Sequence, residues 1–132
     1  RLPFRGRFGL DVPVGSQGGV DFVREHQLRG PMFNNFDVGS FLIWKLPEEK
    51  VFIDGRPEAY PADFIQDVYI KMQEDPVVWK RESERYNIQL IFWNNNDITP
   101  WSQKFVARIR KDPAWPLVYE DGKTLIFTRG RQ

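Results

Sequence analysis

Hydrophobic and polar positions alternate along the chain in a way that predicts helices and strands in turn. Ile88 to Trp93 (I-Q-L-I-F-W) is the clearest strand, an almost continuous apolar run of the kind buried on both faces of a sheet. Met32–Phe33 predicts a first short strand, ending in the polar turn Asn34–Asn35. An apolar helix follows from Phe36 to Leu46, stopped before Pro47, and Val51-Phe52-Ile53 reads as a second strand ending in Asp54-Gly55-Arg56. Ser16 is placed to cap a helix running to about Gln27, with Val20, Val23 and Gln27 on one face. Phe64, Ile65, Val68, Tyr69 and Met72 give the apolar face of a helix opened by Pro61. Asp75-Pro76 and Thr99-Pro100 each have the form of an N-cap followed by proline in the first turn, and Asn87 is placed to end the helix that Asp75 begins. Asp121-Gly122 between two apolar runs, 116–120 and 123–128, predicts a hairpin.

The order α-β-α-β-α-α-β-α-β-β predicts an α/β fold: a three-layer Rossmann-like sheet, mostly parallel, with a C-terminal antiparallel β-hairpin. The first three strands are expected in the order 2-1-3, with the hairpin beyond the third. Residues 1–15, carrying two Pro, three Gly and three Arg, read as a linker or extended arm, and residues 16–132 as one α/β domain. At 132 residues with 41% hydrophobic and 15% aromatic content, the chain can bury a substantial core. The chain starts at Arg1 rather than Met, which suggests a piece of something larger.

Charge and motifs narrow the chemistry. A net charge of +1 implies no broad attraction to nucleic acid. Cysteine is absent, which excludes a disulfide framework and a thiolate metal site. The longest apolar runs, Phe41–Trp44 and Leu90–Trp93, fall far short of a membrane span. After the first strand, N-N-F-D-V-G-S offers Gly39 alone where a phosphate loop needs several glycines, and Asp37 there would repel a phosphate. Asp54 nevertheless stands where Rossmann enzymes place a ribose-binding acid. The single histidine, His26, lies near a helix end with no partner at ligand spacing, and Ser40 has no evident base. No catalytic residue, metal site or cofactor is predicted.

Polar residues gather at the predicted strand ends: Asn34, Asn35 and Asp37 after the first, Asp54, Arg56, Glu58 and Tyr60 after the second, and Asn94 to Asp97 after the third. In a parallel sheet these share the edge where ligands bind, so the first seven are the candidate binding residues, with Tyr60 as a stacking wall. The competing expectation is that they hold turns and helix ends, Asp37 as a cap and Asp54 paired with Arg56.

N-N-F-D-V-G-S-F-L-I-W, then V-F-I-D-G-R-P-E-A-Y and W-P-L-V-Y-E-D-G-K-T-L-I-F, resemble the C-terminal soluble domain of a large group of bacterial multi-span membrane proteins. These are similar to lipid-phosphate-sugar-dependent glycosyltransferases. The resemblance runs from about Val14 and is strongest in the N-x-x-x-G-x-x-x-W and F-I-D-G-R patterns. It implies a non-catalytic extracytoplasmic domain, periplasmic or on the outer face and tethered to the membrane. Its partners would be the membrane-embedded portion of the same polypeptide and a carbohydrate or lipid-linked sugar acceptor. A looser likeness is to the W-W-D-Y-G segment of oligosaccharyltransferase catalytic subunits, of which Asn35–Gly39 keeps Asp37 and Gly39 and lacks both Trp and the Tyr. The alternative, from a different class, is a stand-alone small-molecule or nucleotide-binding α/β enzyme domain.

Overall fold

The computed structural model describes residues 7–130. Its sheet has four strands in the order β1-β2-β4-β3: β1 (Met32–Asn34), β2 (Leu90–Asn94), β3 (Leu117–Glu120) and β4 (Thr124–Thr128). β1 and β2 are parallel, with Phe33 opposite Ile91, and β4 lies antiparallel on both β2 and β3. The apolar run singled out in the sequence is therefore central, and every residue of β2 is buried.

This corrects the expected fold. The sheet is small and mixed, with one parallel pair, and is not the mostly parallel Rossmann-like arrangement. The difference lies in Val51–Ile53, which forms no strand. That piece still buries Ile53 completely and sets the Phe52 ring edge-on to Phe33, 4.9 Å between centroids. An apolar triplet needs cover, and here Ile53 is buried and Val51 and Phe52 are partly so without joining a backbone ladder.

Alternation along the strands divides the core in two. Phe33, Ile91, Trp93, Leu125 and Phe127 face one cluster, which Tyr69, Met72, Trp79, Phe105 and Ile109 complete. Met32, Leu90, Phe92 and Ile126 face the other, built with Val20 and Val23 of α1 (Arg7–Glu25) and Val38, Phe41 and Leu42 of α2 (Phe36–Lys45). Helices thus cover both faces.

Helix α1 begins at Arg7, so residues 7–15, expected as an arm, are helical, while 1–6 lie outside the described residues. The helix ends in a Schellman motif: Gln27 takes φ 53°, its N–H bonds to Arg24 O, and the Leu28 N–H reaches Val23 O. His26 is exposed on this last turn, stacked on Phe22 and 3.1 Å from the Phe22 carbonyl oxygen.

Between α2 and β2 the chain makes a 3₁₀ turn at Pro57–Ala59 and then a helical rod: α3 (Ala62–Phe64), a π-helical stretch Ile65–Ile70, and α4 (Lys71–Glu74). α5 (Pro76–Arg85) and α6 (Pro100–Ile109) start where expected, the Asp75 carboxylate accepting from the Val77 N–H and the Thr99 hydroxyl from the Ser102 N–H. Asn87, at φ 54°, ends α5 in a second Schellman motif. The Asp121 carboxylate closes the hairpin by accepting from the N–H groups of Lys123 and Thr124, each at 2.8 Å. Among the described residues no helix is long and apolar enough to cross a membrane.

Candidate functional site

The structure brings the residues after β1 and β2 together and turns most of their polar atoms inward. Asn34 is fully buried. Its Nδ2 donates to the carbonyls of Ile53 (2.7 Å) and Asn35 (3.0 Å), and its Oδ1 accepts from the Phe52 N–H at 2.8 Å. One side-chain amide thus supplies segment 52–53 with the bonds a neighbouring strand would have given.

Asn35 does the same on the other side. Its Oδ1 accepts from the Asn94 N–H (3.0 Å) and its Nδ2 donates to the Asn94 carbonyl and to Asp97, both at 3.1 Å. That adds a rung beyond the last backbone pair, Asn34 with Phe92. Buried amides are stable only when paired, and these are paired.

Gly39 shows how tightly α2 lies on the same segment. A Cβ there would stand 2.2 Å from the Ile53 carbonyl oxygen and 2.6 Å from the Asp54 Cα, so only glycine permits this approach. A third hold comes from Tyr60, whose hydroxyl accepts from the Asp54 N–H at 3.0 Å and whose ring stacks on Phe64. Tyr69 is the residue that sequence reasoning left in the core and the structure brings to the site. Its hydroxyl accepts from the Phe36 N–H at the start of α2, at 3.1 Å, from within the π-helical stretch. Burial pushes its phenol well above the ordinary value. The helical spacing of its apolar neighbours carries no signal for a π turn.

Asp54 has a side chain only 3% exposed and faces its own loop. It accepts from the Arg56 backbone N–H (3.0 Å), from Arg56 Nε (3.1 Å) and from the second guanidinium nitrogen (2.7 Å). These side-chain bonds from Arg56 hold the Asp54 carboxyl below the usual range, against the opposing effect of burial. A lowered folded-state pKa gives stability that is complete above the unfolded value, about 3.9, and is lost as pH falls through the lower folded one. Asp54→Asn is therefore expected to unfold more readily than the wild type by an amount constant above about pH 5. The gap should close as pH drops below the unfolded value. Urea unfolding across pH measures it, and a gap that widens in acid contradicts the assignment.

Six residues around this end present polar atoms outward: Asp37, Ser40, Arg56, Glu58, Asn95 and Asn96. Asp37 is exposed on the first turn of α2, and partial burial of its carboxyl, then the charge of Asp97, push its pKa up. It does not cap the helix: Asn35 holds the N-cap position, and its side chain is turned to Asn94 rather than to the helix. Arg56 keeps its guanidinium largely in solvent, and Glu58 is exposed on the 3₁₀ turn. Beyond β2, Asn95 and Asn96 are exposed, whereas Asn94 accepts from the Asn96 N–H and Asp97 accepts from the N–H and hydroxyl of Thr99. Ser40 lies against Gly55 on the outward face of α2. Among the described residues no group of three or more His, Asp or Glu side chains is placed to hold a metal ion.

The arrangement makes a stiff end to the parallel pair. Its chemistry is hydrogen bonding to its own backbone, and its outer rim is charged. Compared with protein-family models, with curated proteins and with solved structures, the chain has no match in any of the three.

Proposed function

We propose that this chain is a non-catalytic domain of a membrane glycosyltransferase-like protein, held on the extracytoplasmic side, that braces the membrane active site or presents it with a carbohydrate or lipid-linked sugar acceptor. The observation that supports this reading is the inward commitment of Asn34, Asn35 and Asp54. A reactive centre needs groups free to touch a substrate, whereas a bracing or docking element needs a fixed backbone with a specific outer surface. Here the fixed backbone is segment 52–56, and the surface is Asp37, Arg56 and Glu58. The face of α2 beside it carries Ser40, Ile43 and Trp44 at i, i+3, i+4 spacing, with Trp44 68% exposed. The occupant of that face is the membrane-embedded portion of the same polypeptide.

The test is made in the full-length protein with Trp44→Ala and Glu58→Ala. Both side chains are exposed, so the unfolding midpoint of each variant is expected to match the wild type. Product formation is expected to fall about fivefold or more for Trp44→Ala, since an exposed aromatic that anchors an interface carries a large share of its energy. Wild-type product formation in both variants, or sugar transfer or nucleotide hydrolysis by the isolated domain, would contradict the proposal.

A further inference from the structure

A wide cleft lies on the opposite face of the sheet from α2, between α5 and the end of α6. Its volume of about 830 Å³ falls within the range of small-molecule sites. Trp79 and Trp115 line it, with the cations Lys80, Arg108, Lys111 and Arg129 and the carboxylates Glu84 and Asp112.

The charges around it are unequally answered. Lys80 pairs with Glu84 at 2.9 Å. Asp112 turns to its own loop and accepts from the Ala114 N–H. Arg108 donates to the carbonyls of Met72 and Gln73, and Arg129 to those of Ile88 and Ser83. Carbonyls orient a guanidinium and leave its charge in place. Among the described residues neither arginine nor Lys111 has a carboxylate within ion-pair distance; Asp112 attracts Arg108 and Glu84 attracts Arg129 only from further off, and the four cations of the cleft outnumber its two carboxylates. Partial burial also disfavours the charge on Arg108, a cost that a bound anion would offset.

The apolar wall has its own signature. Arg129 lies over the Trp115 ring, 4.8 Å from the centroid, and the Trp79 and Trp115 rings meet at 5.3 Å. Trp79 is 3% exposed, and its indole N–H finds no acceptor, one of three buried side-chain atoms so placed among the described residues. Buried donors of this kind call for an explanation.

We propose that this cleft binds a small organic oxyanion, its phosphate or carboxylate set among Arg108, Lys111 and Arg129 and its apolar part along the narrow edges that Trp79 and Trp115, each 3% exposed, show to the cleft. Rigid arginines already oriented by backbone carbonyls suit an oxyanion, because little freedom remains to be lost on binding. The site is independent of the bracing surface and stands on different residues.

The protein labelled at its tryptophan indoles is titrated with phenyl phosphate, phenylacetate and the neutral benzyl alcohol, and the indole N–H signals of Trp79 and Trp115 are followed by NMR. Either anion, or both, is expected to shift these signals saturably, and the arm that binds more tightly identifies phosphate or carboxylate as the preferred group. Lys111→Ala, at an exposed position, is expected to weaken binding about tenfold, the loss of one charge-assisted contact. Arg56→Ala, outside the lining of the cleft, should leave the titration unchanged. The proposal is overturned if neither anion gives a saturable shift, if benzyl alcohol binds as tightly as the anions, or if Lys111→Ala titrates like the wild type.

Discussion

Asn34→Ala is expected to destabilise the domain by about 2–5 kcal/mol, because it orphans two or more buried backbone groups at about 1–3 kcal/mol each. The Phe52 N–H loses its acceptor and the Ile53 carbonyl loses its donor. Ile53 is fully buried, and no strand lies beside the segment to take over these bonds. Asn34→Asp should not rescue the loss, since a carboxylate keeps the acceptor for Phe52, cannot donate to Ile53 when ionised, and carries a charge into a buried site. Urea unfolding of the three proteins measures the effect. A loss below about 1 kcal/mol for Asn34→Ala would mean that water or a shifted backbone takes the place of the amide.

Gly39→Ala is expected to cost about 3 kcal/mol, the scale of overpacking against atoms that cannot move aside. The added methyl would meet the Ile53 carbonyl oxygen at 2.2 Å, the Asp54 Cα at 2.6 Å and the Ile53 carbonyl carbon at 3.0 Å. All three are backbone atoms, and the segment they belong to is fixed by Asn34 and Tyr60. The sign of the result is informative. Helix propensity alone would make alanine the more stable residue here by about 1 kcal/mol. A stability gain in urea unfolding would therefore show that α2 does not lie against residues 53–54. Because Asn34 and Gly39 act on one segment, their double variant should lose less than the sum of the two.

Much of the scaffold was legible in the chain. The apolar run at 88–93 contains most of the central strand, because a sheet buried on both faces requires such a run and little else does. The Asp75-Pro76 and Thr99-Pro100 pairs marked two helix starts through capping chemistry that acts locally. Val51–Ile53 was misleading for a physical reason: three apolar residues report burial and say nothing about where their N–H and C=O groups bond. The partner proved to be a side chain, Asn34, which no period along the sequence reveals. The error propagated to the whole fold, since the mostly parallel sheet rested on that strand. Residues 7–15 misled in another way: Pro13 and the nearby glycines read as helix breakers, yet the backbone there is helical.

The candidate site was legible as a place and not as a role. Asn and Asp at strand ends were visible, and the structure does gather Asn34, Asn35, Asp37 and Asp97 at one end of the parallel pair. Whether such residues face a ligand or their own backbone depends on the turns around them, because the same groups serve both. The Asp54–Arg56 pair was readable from its spacing. The role of Gly39 was not, because it concerns the backbone of residues fourteen and fifteen positions further on.

The central claim is that the amides after β1 complete the protein's own backbone bonding. Hydrogen exchange at the Phe52 N–H, in the wild type and in Asn34→Ala, tests it most directly. This N–H, outside any strand, is expected to be protected in the wild type to the degree of the neighbouring sheet, and its protection to collapse in the variant while β4 amides still exchange slowly. Exchange at the rate of an open loop in the wild type, or protection unchanged in Asn34→Ala, would contradict it.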